Sequence, residues 1–280
     1  MAFEFGIRAW AASAPALQSP DAWRAWSHAP WVPTGTELPQ LAHMAPMLRR
    51  RVNALGRAAL HPAYACLPQD YADAATDAAT DAATDAATDA HVPAPRTAMP
   101  MVFASRHGDT ARAFDMLTEL ASDQPLSPTA FGLSVHNAVG AMFSIDQADT
   151  ANLQAIAAGR DTVEAAVVEA CGLLADGAPE VLLVCYDAPL PEPYVPFADE
   201  PDCLYGWCWR IGAPRAGEPA WQLEYEADVG DAAGHAAEAR PGEAAPLLPH
   251  GLDVLRFMLT AAPELRYRGE RAVWRWRRHG

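Results

Sequence analysis

The chain has 280 residues, 51% of them hydrophobic, a formal net charge of −15, and 20 basic residues that are all arginine. That apolar content supports one core of about 200 residues with appendages, while the absence of lysine excludes a phosphate-loop lysine, a Schiff base and a cofactor aldimine. The arginines gather at the ends, six against three acids in residues 1–60 and six against two in 264–280, and the acidic centre left between them argues against nucleic acid.

FEFGIRAWAA (3–12) alternates and predicts a first strand. Residues 39–60 set Leu41, Met44, Met47, Leu48, Val52 and Leu55 at helical spacing with arginine opposite, predicting one amphipathic helix entered through Pro46. AATD then repeats four times over 74–89. With the proline-rich residues that follow, it predicts a low-complexity surface insertion over 72–98, because Ala, Thr and Asp have nothing large to bury. Residues 100–105 predict a strand that ends in the polar loop Arg106–Asp109, and 110–121 a helix opened by Thr110. FGLSVHNAVGAMFSI (131–145) reads as Ser134 at a cap, His136 and Asn137 in the first turn, and a buried helix with Gly140 at a close approach. The next helix, 161–177, has Asp161 and Thr162 as cap candidates, Glu164 facing the helix dipole and Gly177 at its end. EVLLVCYD (180–187) is a buried central strand. Residues 203–212 and 220–227 read as a hairpin, 228–250 as an acidic loop, 252–262 as a helix and 271–278 as a last strand. This order predicts a single α/β domain over 1–280, a sheet covered by helices.

No stretch approaches the ~20 apolar residues of a membrane helix, and Glu4 interrupts the apolar start, unlike a secretory signal. A cytoplasmic protein without membrane contact is expected. Cys66, Cys171, Cys185, Cys203 and Cys208 lack paired metal spacing and sit in apolar segments, so reduced buried thiols and no metal site are expected. Two serine–histidine pairs invite a nucleophile reading: Ser134 with His136, and Ser105 with His107 beside Asp109 at a strand end. The first needs an extended backbone where a helix is predicted. The second alternates along the chain and lacks the G-x-S-x-G elbow that exposes a nucleophile. A stand-alone hydrolase or acyltransferase using either pair, or a module that holds an acyl chain, remains the alternative. The clusters Arg49–Arg51 and 266–278 are solvated faces that could meet an acidic partner.

Taken together, PMVFASRHGDTARAFDML, SPTAFGLSVHNAVGAMFSI and DTVEAAVVEACGLLADGAPEVLLVCYD resemble the N-terminal half of ketoacyl synthases of the thiolase fold. More closely, the chain resembles the short ketoacyl-synthase-like, chain-length-factor-like proteins of aryl polyene and xanthomonadin-type pigment clusters. The resemblance implies a half-thiolase-like mixed sheet of five strands covered by helices. It also implies a heterodimer with a ketosynthase subunit, contact with acyl carrier protein through that complex, and no cofactor. Registering GAPEVLLV against the family's strand sets Gly159 and Arg160 at the nucleophile position, which then lacks its cysteine, and the chain ends before the family's paired histidines. On that analogy there are no catalytic residues. Phe131, Leu133, Ser134, His136, Asn137, Met142 and Phe143 would lie at a tunnel or partner surface, Arg106 and His107 in a strand-end loop, and strand 180–187 would pair across the dimer.

Overall fold

The computed structural model describes residues 1–68, 98–227, 247–270 and 272–280. The predicted insertion 72–98, all but its last residue, and most of the predicted acidic loop 228–250 lie outside them. In chain order the elements are β1 (Ala2–Ser13), α1 (Pro20–His28), α2 (Pro46–Arg49), α3 (Ala54–Cys66), β2 (Met101–Ala104), α4 (Thr110–Ala121), α5 (Pro128–Ser134), α6 (Ala138–Asp146), β3 (Leu153–Ile156), α7 (Thr162–Ala175), β4 (Glu180–Asp187), β5 (Tyr205–Gly212), β6 (Ala220–Ala227), α8 (His250–Leu259), β7 (Glu264–Arg268) and β8 (Ala272–His279).

All strands join one mixed sheet in the order β3-β2-β4-β5-β1-β6-β8-β7. Strands β3, β2 and β4 are parallel, with helical crossovers between them, and the remaining pairings are antiparallel. The α/β class is the expected one, but the sheet has eight strands where five were expected. Strands β3 and β7 were missed because they are four and five residues long and mostly half-buried, so neither shows an apolar run or a clean alternation.

The predicted hairpin of β5 with β6 does not form. β1 lies between them, pairing Gly6–Ser13 with β5 and Ala2–Phe5 with β6. Twelve residues are long enough to serve two partners end to end, with the change of partner between Phe5 and Gly6 and a register shift in the β5 pairing between Ile7 and Ala9. The single helix expected over 39–60 is also broken. α2 stops at Arg49, and α3 opens afresh at Asn53, whose side chain accepts from the Gly56 N–H.

Alternation along each central strand divides the core between the two faces of the sheet. Val102, Ala104, Leu183, Cys185, Trp207 and Trp209 point to the layer of α1, α7 and α8. Met101, Phe103, Leu182, Val184, Tyr186 and Cys208 point to α3 and α6. Burial on both sides is why β4 is apolar throughout. α3 lies so close to β5 that a Cβ at Gly206 would clash with the Ala58 carbonyl.

Candidate functional site

The turn between β3 and α7 holds Gly159 and Arg160. Gly159 has φ of 56°, a left-handed conformation that glycine adopts without strain. No side chain fits there, because a Cβ would collide with the carboxylate of Glu270. That carboxylate, from the loop between β7 and β8, accepts the Arg160 backbone N–H at 3.1 Å. The loop is docked from both sides. Asp161 accepts from the Glu270 N–H at 3.1 Å and from Trp274 Nε1 at 2.9 Å, and a Cβ at Gly269 would run into the Asp161 carboxylate. Asp161 is therefore spent on this hairpin and makes no side-chain cap on α7, contrary to the sequence reading. Arg160 turns along the same hairpin. Its guanidinium lies 5.9 Å from the Tyr267 ring centroid and donates to the Arg268 carbonyl, and its own carbonyl accepts from the Tyr267 hydroxyl.

Beneath this turn lies a polar cluster that the sequence did not reveal. Glu164, read from the sequence as a first-turn acid facing the helix dipole, is fully buried, and its Oε1 accepts from His250 Nε2 at 2.6 Å and Trp276 Nε1 at 2.9 Å. His250 stacks on Tyr267 with ring centroids 3.3 Å apart. One carboxylate thereby ties α7, α8 and β8 together and joins the deep core to the closed turn. Its signal was a lone acid on the apolar face of TVEAAVVEACGLL, and its partners are more than 80 residues away.

The two motifs that carry the resemblance touch each other. His136 Nε2 hydrogen-bonds the Ser105 carbonyl at 2.9 Å, and its ring packs on Gly108, whose φ is 62°. Neither serine–histidine pair forms. Ser134, in the last turn of α5 instead of at a cap, donates to the Phe131 carbonyl. Buried Ser105 donates to Asp187 Oδ1 at 2.8 Å and accepts from the Gly108 N–H, while Asp109 caps α4 by accepting from the Arg112 N–H. Asp187 also accepts from the Arg106 N–H. Burial pushes its carboxyl up to about 7, against the opposing pull of the Ser105 hydroxyl. Arg106 is held by Asp199 at 2.6 Å and Glu200 at 2.7 Å. His107, pushed below its ordinary value by burial and by Arg106, lines a cavity of about 10 Å³ with Asp187, Cys203 and Tyr205. That is room for a single water.

Of the remaining candidates, Phe131 and Asn137 are exposed and Leu133 is half-buried. Met142 and Phe143 are core residues, the latter against Tyr64 and Phe103, so neither reaches the surface. Phe131 belongs to a wider apolar surface. α4 buries none of its residues, and Leu117, Leu120, Phe131, Val135, Val195 and Phe197 are between 44% and 73% exposed. β4 is flanked on both sides by β2 and β5 and cannot pair with another chain. The parallel end of the sheet instead exposes β3 as its edge. All five cysteines are free and buried, and burial pushes the thiols of Cys171 and Cys203 up to about 12, far from a reactive thiolate. The C-terminal arginine cluster is largely spent within the fold. Arg275 and Arg277 are paired with Glu224, Glu226 and Glu264, and Arg278 lies over Trp221. Among the described residues no helix is long and apolar enough to cross a membrane.

A family model described as "Beta-ketoacyl synthase, N-terminal domain" matches residues 23–81 and 77–277. No curated protein sequence matches the chain. Among solved structures, a chain from the complex of the ketosynthase ApeO with its chain length factor ApeC, from Xenorhabdus doucetiae, is similar with a TM-score of 0.72 and 21% identity over 98% of both chains. The ishigamide ketosynthase/chain length factor follows at 0.58 and 15%, covering 82% of this chain and 68% of that one. A beta-ketoacyl synthase from Burkholderia phymatum gives 0.51 and 13%, covering 82% and 65%. These likenesses establish a thiolase-like ketosynthase fold.

Proposed function

Because the chain belongs to the beta-ketoacyl synthase N-terminal domain family, we propose that it is a non-catalytic, chain-length-factor-like partner of a ketosynthase. It would act in the cytoplasm in type II polyketide-like chain extension of the aryl polyene pigment class. The observation that carries this reading is the closed turn at Gly159. Acyl transfer needs a nucleophile at the tip of a helix with open space before it. If Gly159 and Arg160 stand at the nucleophile position, neither supplies one, and the Glu270 carboxylate fills the space beside Gly159 and accepts the Arg160 N–H.

Two surfaces support the partner role. The apolar face around Leu117, Leu120, Phe131 and Phe197 is larger than isolated surface residues require. The edge of β3 presents backbone groups to which another strand can add. The similar ApeO–ApeC chain, matched over 98% of its own length, fits a partner of this size. In the complex, Phe131, Leu133, His136 and Asn137 would lie at or near the subunit boundary. Acyl carrier protein would reach this chain through the ketosynthase.

Co-expression with a candidate ketosynthase partner, followed by gel filtration, tests the proposal. A single heterodimer peak that is lost in Leu117→Glu/Phe131→Asp is expected. Two independently eluting proteins, or a covalent acyl adduct on the isolated chain by mass spectrometry, would overturn it.

A further inference from the structure

The two arginine clusters differ in a way the sequence does not show. In the C-terminal one Arg275 and Arg277 are paired with glutamates across the sheet, whereas the guanidinium groups of Arg50 and Arg51 make no ion pair or hydrogen bond among the described residues. They line an open groove of about 410 Å³ together with Val52, Asn53, Arg112, Ser127, Thr129, Ala130 and Leu133. The walls are fixed by hydrogen bonds. Asn53 Nδ2 donates to Asp109 Oδ2 at 2.7 Å, tying the start of α3 to the start of α4, and the same carboxylate oxygen holds Arg112 Nε at 2.9 Å. Arg112 thus keeps its two terminal nitrogens free of Asp109. Ser127 uses its oxygen to accept from the Ala130 N–H and retains its own proton to donate.

With Arg112 balanced by Asp109, the groove carries about two uncompensated positive charges in a chain whose net charge is −15. A phosphate monoester carries about −1.5 to −2 at neutral pH, which matches that balance, whereas a single carboxylate does not. Guanidinium forks and hydroxyl donors suit its three oxygens. Val52, Ala130 and Leu133 give the rest of the groove an apolar side. We propose that this groove binds a phosphate monoester that carries a short aliphatic arm. The site shares Leu133 with the proposed subunit boundary, so its test uses this chain alone, and its failure would leave the partner role standing.

Calorimetric titration of the full chain at fixed ionic strength tests this with n-butyl phosphate, inorganic phosphate and tetraglutamate as probes. Butyl phosphate should bind tightest, inorganic phosphate more weakly and tetraglutamate weakest. Arg50→Gln/Arg51→Gln should weaken butyl phosphate at least tenfold and Thr129→Val severalfold, with Arg24→Gln on α1 leaving it unchanged. Both arginines of the double variant are exposed, so its thermal midpoint should stay that of the parent. Butyl phosphate binding that is equal in the double variant and the parent, or matched by tetraglutamate, would overturn the proposal.

Discussion

At residue 159 two constraints coincide: a φ of 56° and a neighbouring carboxylate that fills the space of a side chain. Gly159→Cys is therefore expected to lose stability, about 1–3 kcal/mol for the left-handed backbone alone, without gaining a nucleophile. Mass spectrometry after incubation with an acyl carrier thioester should find the new thiol unacylated. A second residue-scale consequence concerns Asp187. Its folded value of about 7 lies above the ordinary aspartate value of about 4, so the folded state retains a proton that the unfolded chain gives up. Its contribution to stability is complete below about pH 4 and is lost as pH rises through 7, a change on the order of 3–4 kcal/mol for this fully buried group. Asp187→Asn keeps an oxygen for Ser105 and removes the titration. Urea unfolding at pH 5 and pH 8 should show a smaller loss of stability for the variant than for the parent.

Among the elements, α3 and β5 make the tightest backbone approach to the central sheet. Gly206→Ala has nowhere to put its methyl except against the Ala58 carbonyl, so α3 must move off β4 and β5. A loss of about 1–3 kcal/mol is expected, as for other overpacked cores, read as a lower denaturation midpoint with an unchanged slope. α4 is the opposite case. Its leucines recur on one face, yet none of its residues is fully buried, and Phe114 against Tyr194 is its aromatic contact within the chain. An amphipathic helix draws most of its stability from packing of its apolar face, which is why the co-elution experiment uses Leu117 and not a core residue.

The whole molecule combines a closed β3–α7 turn with an exposed apolar exterior. The hairpin of β7 and β8 closes over Gly159, and its loop is anchored through Asp161, Trp274 and Tyr267. Among the described residues, apolar side chains of α4 and α5 stay exposed and no strand pairs with the outer edge of β3. Heterodimer formation would bury the exposed face while leaving the Glu164 cluster untouched, since that carboxylate is fully buried and held by His250 and Trp276 through Oε1. This distribution is what the proposed role requires, a chain that contributes shape and contact to a ketosynthase.

Local pattern alone determined β1, β2, β4, α4, α7 and the last strand, because each has a periodicity that its own residues complete. The buried cysteines and the close approach at Gly140, where a Cβ would press on Leu153 and Phe103, were legible for the same reason. The resemblance singled out Gly159 and Arg160, but not what sits on them. Glu270 is some 110 residues distant, and no local pattern links the two. Likewise, only the tertiary structure decided that β1 separates β5 from β6, that Met142 and Phe143 turn inward, and that Arg275 and Arg277 are paired with glutamates while Arg50 and Arg51 line a groove. Strand order, closure of a turn and the pairing of charges are set by contacts between distant segments. Composition and periodicity record which residues prefer burial, but not which segments bury them.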